Sequence, residues 1–432
     1  MVVRVIGAGL AGCEAAWTLA GEGLKVRLHE MKPEKRSPAH SGDGFAELVC
    51  SNSLKSDRLG SAGGLLKEEM RRMGSLLLPI AERARVPAGG ALAVDRHEFS
   101  RLVTEAVRLN PNIEVVTGEV TALPDGPVIV ATGPLMSDAL AAHIEDRLGG
   151  SLSFYDAAAP IVAADSLDWD KVFRASRYDK GGGDYVNCPF DKEEYEAFHE
   201  SLVNAKAVGL KAFETEKPKV YEGCMPIETL AKRGLDTLRF GPLKPVGLKD
   251  PKTGRRPWAV VQLRHENGAG TLLNLVGFQT NLKFGEQKRV FSMIPGLKNA
   301  EFIRCGVMHR NTFIDSPRLL DRTFALRSDP MTVFAGQLTG VEGYMESAMS
   351  GIIAAKNLAR RLRGEEPMVF PADTMTGALC AYISDESIRD FQPMGANMGL
   401  LPALKERVKL KTERYETLSR RALGSLDLAL KG

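Results

Sequence analysis

The pattern of apolar and polar positions predicts a strand–helix–strand unit at the start of the chain. Residues 2–6 are almost wholly apolar and predict a buried parallel strand. Residues 10–21 predict a helix that ends near Gly21 and Gly23, and residues 25–30 predict a second strand. A unit of about 30 residues is the usual size of a βαβ motif.

Later periodic segments continue the alternation of strands and helices. We expect helices over 65–84, 97–108, 191–207 and 343–362, and a basic amphipathic helix over 403–421. We expect strands over 113–116, 128–133, 258–264 and 271–278. Residues 33–64 are rich in Gly, Ser, Pro and charged residues, which is typical of a long functional loop with short helical pieces.

Two changes in this pattern predict the domain organisation. The run Gly181–Gly183 is typical of a hinge or crossing point, and the strand-then-helix pattern returns at 331–337. The stretch between them mixes strands and helices as an α+β domain does. We therefore predict an α/β fold in which a discontinuous Rossmann-like domain, 1–183 and 326–432, carries an inserted α+β domain over 184–325.

Composition and charge agree with a soluble protein of more than one domain. The 432 residues are 44% hydrophobic and 26% charged, with a net charge of +3, which excludes a disordered chain. The N-terminus lacks the pattern of a signal peptide, and no apolar run reaches about 18 residues. We therefore expect a cytoplasmic protein that contacts no membrane, and a monomer rather than a stable oligomer.

The cysteines predict neither a metal site nor a disulfide framework. Six cysteines stand at positions 13, 50, 188, 224, 305 and 380, without a C-x-x-C pair or the spacing of a zinc ribbon. A chain of this length does not need disulfides, so reduced thiols are the simpler account. Free cysteines are most often buried apolar residues, which we expect of Cys13, Cys305 and Cys380 but leave open for Cys188.

The glycine turn after the first strand carries the first functional signal. Gly7 permits the tight turn, Gly9 lets the backbone approach a pyrophosphate, and Gly12 lets the helix pack close to the strand. Glu30 ends the next strand, where its carboxylate can accept hydrogen bonds from an adenosine ribose. The predicted dinucleotide contacts in this region are Gly7, Gly9, Leu10, Ala11, Gly12 and Glu30.

Two later segments favour FAD over NAD as the dinucleotide. The strand that stops at Ala131, Thr132 and Gly133 resembles the second glycine turn of two-part flavoproteins. The segment after residue 335, with its following helix, resembles their third element, where the chain folds back on the flavin. The predicted contacts in that third element are Gly336, Gln337, Gly340, Gly343 and Tyr344.

Five motifs in order resemble the bacterial folate- and FAD-dependent tRNA (uracil-5-)-methyltransferase family, TrmFO. They are the segments 7–12, 47–53, 221–228, 336–347 and 391–397. The 336–347 segment is shared with a larger relative that modifies the wobble uridine of tRNA. That relative carries an additional C-terminal helical domain, whereas this sequence ends about 90 residues after Gly340, so we expect the smaller family.

The resemblance implies an activity, its cofactors and two catalytic cysteines. In this family 5,10-methylenetetrahydrofolate gives its one-carbon unit to reduced FAD, from which it passes to C5 of a uridine in the T arm of tRNA. NADH or NADPH restores the reduced flavin. The family places the nucleophile for uracil C6 at Cys224. It offers Cys50 for removal of the C5 proton or for shielding the flavin adduct, and these two roles could be exchanged.

Clustered basic residues offer a surface for tRNA phosphates. The loop 244–256 contains five, the group 283–289 contains three, and the last predicted helix is basic but also carries glutamates. We expect tRNA contact for the loop 244–256 and a solvated charged face for the last helix. Three other functions stay open: a flavin NAD(P)H oxidoreductase that does not act on RNA, a non-catalytic flavin-dependent RNA-binding protein, and the wobble-uridine enzyme.

Overall fold

The computed structural model describes residues 2–37, 39–149, 152–157, 159–179, 182–208, 225–306, 308–389, 391–406 and 408–431. Its strands, in chain order, are β1 Val2–Ile6, β2 Lys25–Glu30, β3 Ser53–Ser56, β4 Arg85–Val86, β5 Ala91–Val94, β6 Ile113–Thr117, β7 Val128–Val130, β8 Leu152–Ala157, β9 Ile161–Ala163, β10 Phe173–Arg174, β11 Tyr185–Phe190, β12 Ala259–His265, β13 Leu272–Leu275, β14 Phe302–Arg304, β15 Met308–Phe313 and β16 Thr332–Phe334. Its α-helices are α1 Leu10–Gly21, α2 Ala62–Arg72, α3 Leu77–Arg83, α4 Arg96–Leu109, α5 Asp138–Leu148, α6 Lys192–Val203, α7 Ile227–Ala231, α8 Thr237–Phe240, α9 Phe284–Phe291, α10 Ser316–Leu319, α11 Tyr344–Leu362, α12 Met375–Ile383 and α13 Lys411–Ala429.

A five-stranded parallel sheet forms the Rossmann-like part, in the order β16-β7-β1-β2-β6. Because the strands of a parallel sheet are covered on both faces, they are built from short apolar runs such as Val128–Val130. Helices α1 and α11 cross closely, since a Cβ on Gly351 would overlap the backbone of Ala11. The predicted first strand, first helix and second strand are confirmed with their bounds.

A six-stranded antiparallel sheet forms the second part, in the order β10-β11-β12-β13-β9-β14. The two-stranded ladder of β8 with β15 and the three-stranded sheet β3-β5-β4 complete the pairing. The predicted fold class, a Rossmann-like α/β fold with an additional α+β part, is therefore confirmed.

Two large apolar cores match these two parts of the fold. The first core takes buried residues from 3–144 and from 313–426, and the second takes them from 159–300. The boundaries at 183/184 and 325/326 stay predictions. The cores lead us to propose that the chain crosses between its parts within 148–159 and within 300–313.

Three predictions from periodicity are wrong in their extent. The helix expected over 65–84 is two helices, α2 and α3, because Gly74 turns the chain with a φ of +85°. The last helix covers Lys411–Ala429 rather than 403–421. The loop expected over 33–64 contains β3 and the start of α2. Among the described helices, none is long and apolar enough to cross a membrane.

Candidate active site

The glycine turn joins β1 to α1, and two of its glycines lie where no side chain fits. Gly7 has a φ of +97°, and a Cβ on it would lie 2.7 Å from the carbonyl oxygen of Ala131. A Cβ on Gly12 would overlap the carbonyl oxygen of Gly7, whereas a Cβ on Gly9 would meet nothing within 4 Å. The turn is therefore packed on its inner side and open on its outer side, as a phosphate-binding turn requires.

The first turn of α1 presents its amides toward this open side. Gly9 precedes the helix, and no side chain of the described residues caps it. The N–H groups of the first helical residues, among them Leu10 and Ala11, have no acceptor within the helix itself. Together with the positive end of the helix dipole, they favour an anion such as a pyrophosphate.

Glu30 lines a cavity next to this turn. One carboxylate oxygen accepts the N–H of Ala8 at 2.9 Å, and the other accepts the N–H of Lys32 at 3.0 Å. A carboxylate has about four acceptor positions, so Glu30 keeps the capacity to bind a ribose hydroxyl. The segments 118–120 and 135–137 form the opposite wall of the cavity.

Thr132 adds an orphaned polar atom to the same cavity. Its hydroxyl oxygen is buried and has no hydrogen-bond partner among the described residues. A buried hydroxyl without a partner is costly, so the cavity suits a ligand that carries polar atoms. Gly133 follows with a φ of +67° and turns the chain away. The residues present therefore fit the adenosine and pyrophosphate of a dinucleotide such as FAD.

The segment 336–344 follows β16 and meets the start of α1, since a Cβ on Gly336 would lie 3.3 Å from the Cβ of Ala11. Gly336 and Gly340 both have a φ of +82°, and the N–H of Gly336 donates to the Ser350 hydroxyl at 2.7 Å. A Cβ on Gly340 would lie 2.5 Å from the Phe391 ring. These contacts hold an extended turn ahead of α11.

Two further contacts fix the end of that turn. The Gln337 side chain donates to the Glu342 carboxylate at 2.6 Å. Gly343 has a φ of +123°, and a Cβ on it would lie 2.7 Å from the Lys55 Nζ. Lys55 in turn forms a 2.8 Å ion pair with the buried Glu346 of α11. The turn is thereby joined to the segment that contains Cys50.

Tyr344 holds the Cys50 loop, residues 47–53, against the start of α11. Its phenolic oxygen accepts the N–H of Cys50 at 2.8 Å and the N–H of Ser51 at 3.1 Å. Burial raises the pKa of Tyr344 well above its usual range, so the phenol stays neutral. The structure thus brings together predicted site residues that lie 294 positions apart.

Two arginines of the antiparallel sheet hold the Cys50 loop from the opposite side. Arg264 donates to the Asn52 side chain at 3.0 Å and to the Ser51 hydroxyl at 2.8 Å. Arg304 donates to the carbonyl oxygen of Cys50 at 3.4 Å. Burial lowers the pKa of both guanidiniums, and both interact electrostatically with Cys50. An arginine keeps its charge even so, and nearby positive charge favours a thiolate.

Sequence reasoning missed these arginines. The one local signal was Arg264 itself, a charged residue that follows the apolar run of β12. Sequence reasoning also missed a buried ion pair between Arg96 and Glu266 beside the loop. Arg96 donates to the carbonyl oxygen of Leu48 at 2.8 Å as well. Buried charges need partners, and these partners come from distant parts of the chain.

The other described cysteines differ from Cys50. Cys13 and Cys188 are fully buried, and burial raises the pKa of both thiols well above their usual range. Burial also raises the pKa of Cys380 to about 12 and, to a lesser degree, that of the half-buried Cys305. Cys224 lies outside the described residues. Within the described ranges no group of three His, Cys, Asp or Glu side chains could hold a metal ion.

Lys67 of α2 supports the strand that follows the Cys50 loop. Its side chain is fully buried, and its Nζ donates to the carbonyl oxygens of Leu54 at 2.8 Å and Ser56 at 2.7 Å. Burial lowers the pKa of Lys67 from its ordinary 10.5 to about 8, although Asp57 and Glu346 oppose this effect. A neutral amine keeps two N–H donors, enough for both carbonyl groups.

This pKa predicts that Lys67 stabilises the fold more at alkaline pH. The unfolded chain binds a proton more tightly here than the folded chain does, so the stabilisation is complete above 10.5 and is lost as the pH falls through about 8. The full pKa difference between the unfolded and the folded chain corresponds to about 3 kcal/mol in the free energy of unfolding. Urea unfolding of the FAD-loaded proteins measures the free energy of unfolding of the wild type and of Lys67→Met. The difference in favour of the wild type should grow from about pH 7 to about pH 10. A constant or shrinking advantage would contradict the prediction.

Comparison with known proteins gives concordant matches. Residues 2–366 match the family model described as glucose inhibited division protein A. A protein of Halalkalibacterium halodurans is 56% identical over 430 residues, which is 99% of this chain and 98% of that protein. One of Geobacter sulfurreducens is 60% identical over 427 residues, 98% of each chain. Both are named methylenetetrahydrofolate–tRNA-(uracil-5-)-methyltransferase TrmFO.

A solved structure supports the fold at greater evolutionary distance. GidA of Aquifex aeolicus, in its form II crystal, superposes with a TM-score of 0.70 at 17% sequence identity. The match covers 99% of this chain and 73% of that chain. At this level of identity the likeness shows the fold alone.

Proposed function

Because the chain belongs to the GidA family and, within it, to the TrmFO group, we propose that it methylates C5 of a tRNA uridine with 5,10-methylenetetrahydrofolate as the one-carbon donor. The target is the uridine of the T loop, the reductant is NADH or NADPH, and the reaction takes place in the cytoplasm. We propose that it acts as a monomer rather than as a stable oligomer. The observation that carries the proposal is the contact of Tyr344 with the Cys50 loop, which joins a thiol to the expected flavin segment.

The residues that would hold FAD form two groups. The glycine turn and the start of α1 bind the pyrophosphate, through Gly7, Gly9, Leu10, Ala11 and Gly12. Glu30 and Thr132 line the cavity that would take the adenosine, with Ala131 and Gly133 on either side of Thr132 in the chain. Gly336, Gln337, Gly340, Gly343 and Tyr344 would border the flavin. Bound FAD would supply one-carbon transfer and the reducing equivalents that convert a methylene into a methyl group.

The protein's own chemistry rests on its cysteines. Uracil C5 is a weak nucleophile, and addition of a thiolate to C6 makes it reactive toward an electrophilic carbon. Once the carbon is attached, a base removes the C5 proton, and expulsion of the thiolate restores the ring. Cys224 and Cys50 divide these two tasks in our proposal. Arg264 and Arg304 place positive charge near Cys50, Arg264 holds the Ser51 hydroxyl, and Arg304 holds the Cys50 carbonyl oxygen.

The loop 244–256 offers tRNA an uncompensated positive surface. Its basic side chains are all exposed, and none pairs with a carboxylate among the described residues. They are Lys244, Lys249, Lys252, Arg255 and Arg256. Elsewhere basic residues are often neutralised, as Arg289 is by Glu286 at 2.7 Å. Unpaired cations release counterions when they meet phosphates, which favours nucleic-acid binding.

Neutralising Arg255 and Arg256 together should weaken tRNA binding roughly tenfold and make it less salt-sensitive. Two lost phosphate contacts make the slope of log affinity against log salt less steep by about 1.5. Fluorescence anisotropy with labelled tRNA over a salt series measures both values. The matched control is Arg360→Gln with Arg363→Gln, because both of these arginines pair with Glu365. Equal slopes for the wild type and the loop variant would contradict a role of this loop in binding.

One assay tests the proposed function. The protein is incubated with unmodified tRNA, labelled methylenetetrahydrofolate and NADH, and the RNA is then digested to nucleosides. Label in 5-methyluridine at the T-loop position supports the proposal. NADH oxidation without label indicates a flavin oxidoreductase, and label at the wobble position indicates the wobble-uridine enzyme. Binding of tRNA without turnover indicates a non-catalytic RNA-binding flavoprotein.

A further inference from the structure

Tyr178 displays its ring in a way that its packing does not require. The residue follows β10 with a φ of +59° and a ψ of +29°, a left-handed conformation that is rare for a bulky side chain. Its side chain is 62% exposed. A strained residue that exposes an aromatic ring is a reason to look for a functional role.

The surrounding chain fixes this conformation. The N–H of Tyr178 donates to the carbonyl oxygen of Gly247 at 2.8 Å, and Arg177 donates to that of Val246 at 2.7 Å. A Cβ on Gly247 would lie 3.0 Å from three atoms of the Tyr178 ring. These equal distances place Gly247 over the face of the ring rather than at its edge. One face of the ring therefore rests on the Gly247 backbone, and the rest of the ring surface is open to solvent.

The position of the ring relates it to the Cys50 loop. Arg177 donates to the Gln262 side chain of β12 at 2.9 Å. Gln262 and Arg264 are two residues apart and point to the same face of the strand, about 7 Å from each other. Arg264 holds Ser51, next to Cys50. The Tyr178 ring and the Cys50 loop thus belong to one side of the antiparallel sheet, within reach of neighbouring nucleotides.

The charges around the ring indicate its partner. Lys244 and Lys249 stand on either side of the Val246–Gly247 turn, exposed and without a carboxylate partner among the described residues. An aromatic face between uncompensated cations is the arrangement that binds single-stranded nucleic acid, in which bases stack and phosphates meet positive charge. An apolar protein partner would be poorly matched by these lysines.

We propose that Tyr178 stacks on an unpaired base of the RNA loop beside the uridine that enters the active site. The inference rests on the proposed function, because it names a contact for the same RNA. It adds an aromatic platform to a basic surface, and with it a contribution to affinity that does not depend on charge. Extruding a base from a folded loop costs stacking energy, and a protein ring that replaces a lost neighbour offsets this cost.

The test uses a T-arm hairpin RNA in which 2-aminopurine replaces, one at a time, the bases next to the target uridine. Stacking on a protein ring quenches 2-aminopurine fluorescence, so the wild type and Tyr178→Phe should quench one such position and Tyr178→Leu should not. Tyr178→Leu should also bind the hairpin about tenfold more weakly, with an unchanged salt slope. Lys244→Gln with Lys249→Gln should instead lower that slope.

Two controls separate the possible failures. Leu109→Ala removes an exposed apolar side chain from α4 and should change neither quenching nor affinity. The wild type must methylate full-length tRNA in the labelled-folate assay; if it does not, the proposed function fails whatever Tyr178 does. If the wild type methylates tRNA and Tyr178→Leu quenches and binds like it, the stacking proposal is overturned. Equal loss in Tyr178→Phe and Tyr178→Leu would also overturn it, because the hydroxyl rather than the ring would matter.

Discussion

Replacing Gly12 with alanine is expected to cost the protein its flavin. The new methyl group would overlap the carbonyl oxygen of Gly7, which belongs to rigid backbone and cannot swing away as a side chain would. Gly7 cannot retreat either, because its own Cα already faces the backbone of Ala131 and Thr132. Helix α1 would have to move outward, and with it the amides that we expect to face the pyrophosphate. Forced overpacking of this kind costs about 3 kcal/mol, or more than about 100-fold in FAD affinity.

The same turn supplies matched controls for this prediction. Gly9→Ala meets nothing within 4 Å, so it should fold normally but place a methyl group in the space expected for the pyrophosphate. Gly21→Ala lies at the end of the same helix, also with nothing within 4 Å, and should keep both stability and flavin. Flavin content after purification and the thermal midpoint with added FAD distinguish the three variants. A Gly12→Ala protein that retains flavin as the wild type does would contradict the packing argument.

The dinucleotide turn was predictable because every signal for it is local. The apolar run of 2–6, the glycines of the turn and the strand ending at Glu30 lie within about 30 residues, and the structure reproduces these elements. The residues that form such a turn and its flanking strands are neighbours in the sequence, so their spacing is sufficient to identify the motif. Which atoms of a cofactor these residues contact stays a prediction.

Helix boundaries were less predictable because tertiary contacts decide them. Gly74 ends α2 locally, but the start of α3 depends on Glu14 of α1, whose carboxylate accepts the N–H groups of Leu76 and Leu77 and so caps that helix. Nothing near residue 76 in the sequence indicates this partner. The late start of α13 similarly follows irregular residues, 401–406 and 408–410, that periodicity alone cannot distinguish from helix.

The two arginines beside Cys50 could not be predicted from the sequence. Arg264 contacts Asn52 across 212 positions, and Arg304 contacts Cys50 across 254. Their roles appear only when the antiparallel sheet packs against the Cys50 loop. The family resemblance supplied the cysteines as candidates, and the structure supplies the physical reason why one of them differs from its four described counterparts.

Cys50→Ala and Cys224→Ala should each reduce methyl transfer to tRNA by more than about a thousandfold while the protein stays yellow. Loss of either the nucleophile or the proton-handling group stops the reaction at a different point, but neither loss removes a contact to the glycine turn. NADH oxidation, which requires flavin but no uridine chemistry, should persist. Label transfer from methylenetetrahydrofolate to tRNA, flavin content and NADH oxidation are measured on the same preparations.

The two variants should differ in what they do to the RNA. With a 5-fluorouridine tRNA, whose C5 carries no removable proton, the variant that keeps the nucleophile should form a covalent RNA adduct and the other should not. This outcome would assign the two roles that sequence and structure leave open between Cys50 and Cys224. Cys305→Ala is the matched control, because burial raises the pKa of that half-buried thiol and disfavours its thiolate. Full methyl transfer by Cys50→Ala would remove Cys50, with the arginines that hold its loop, from the mechanism.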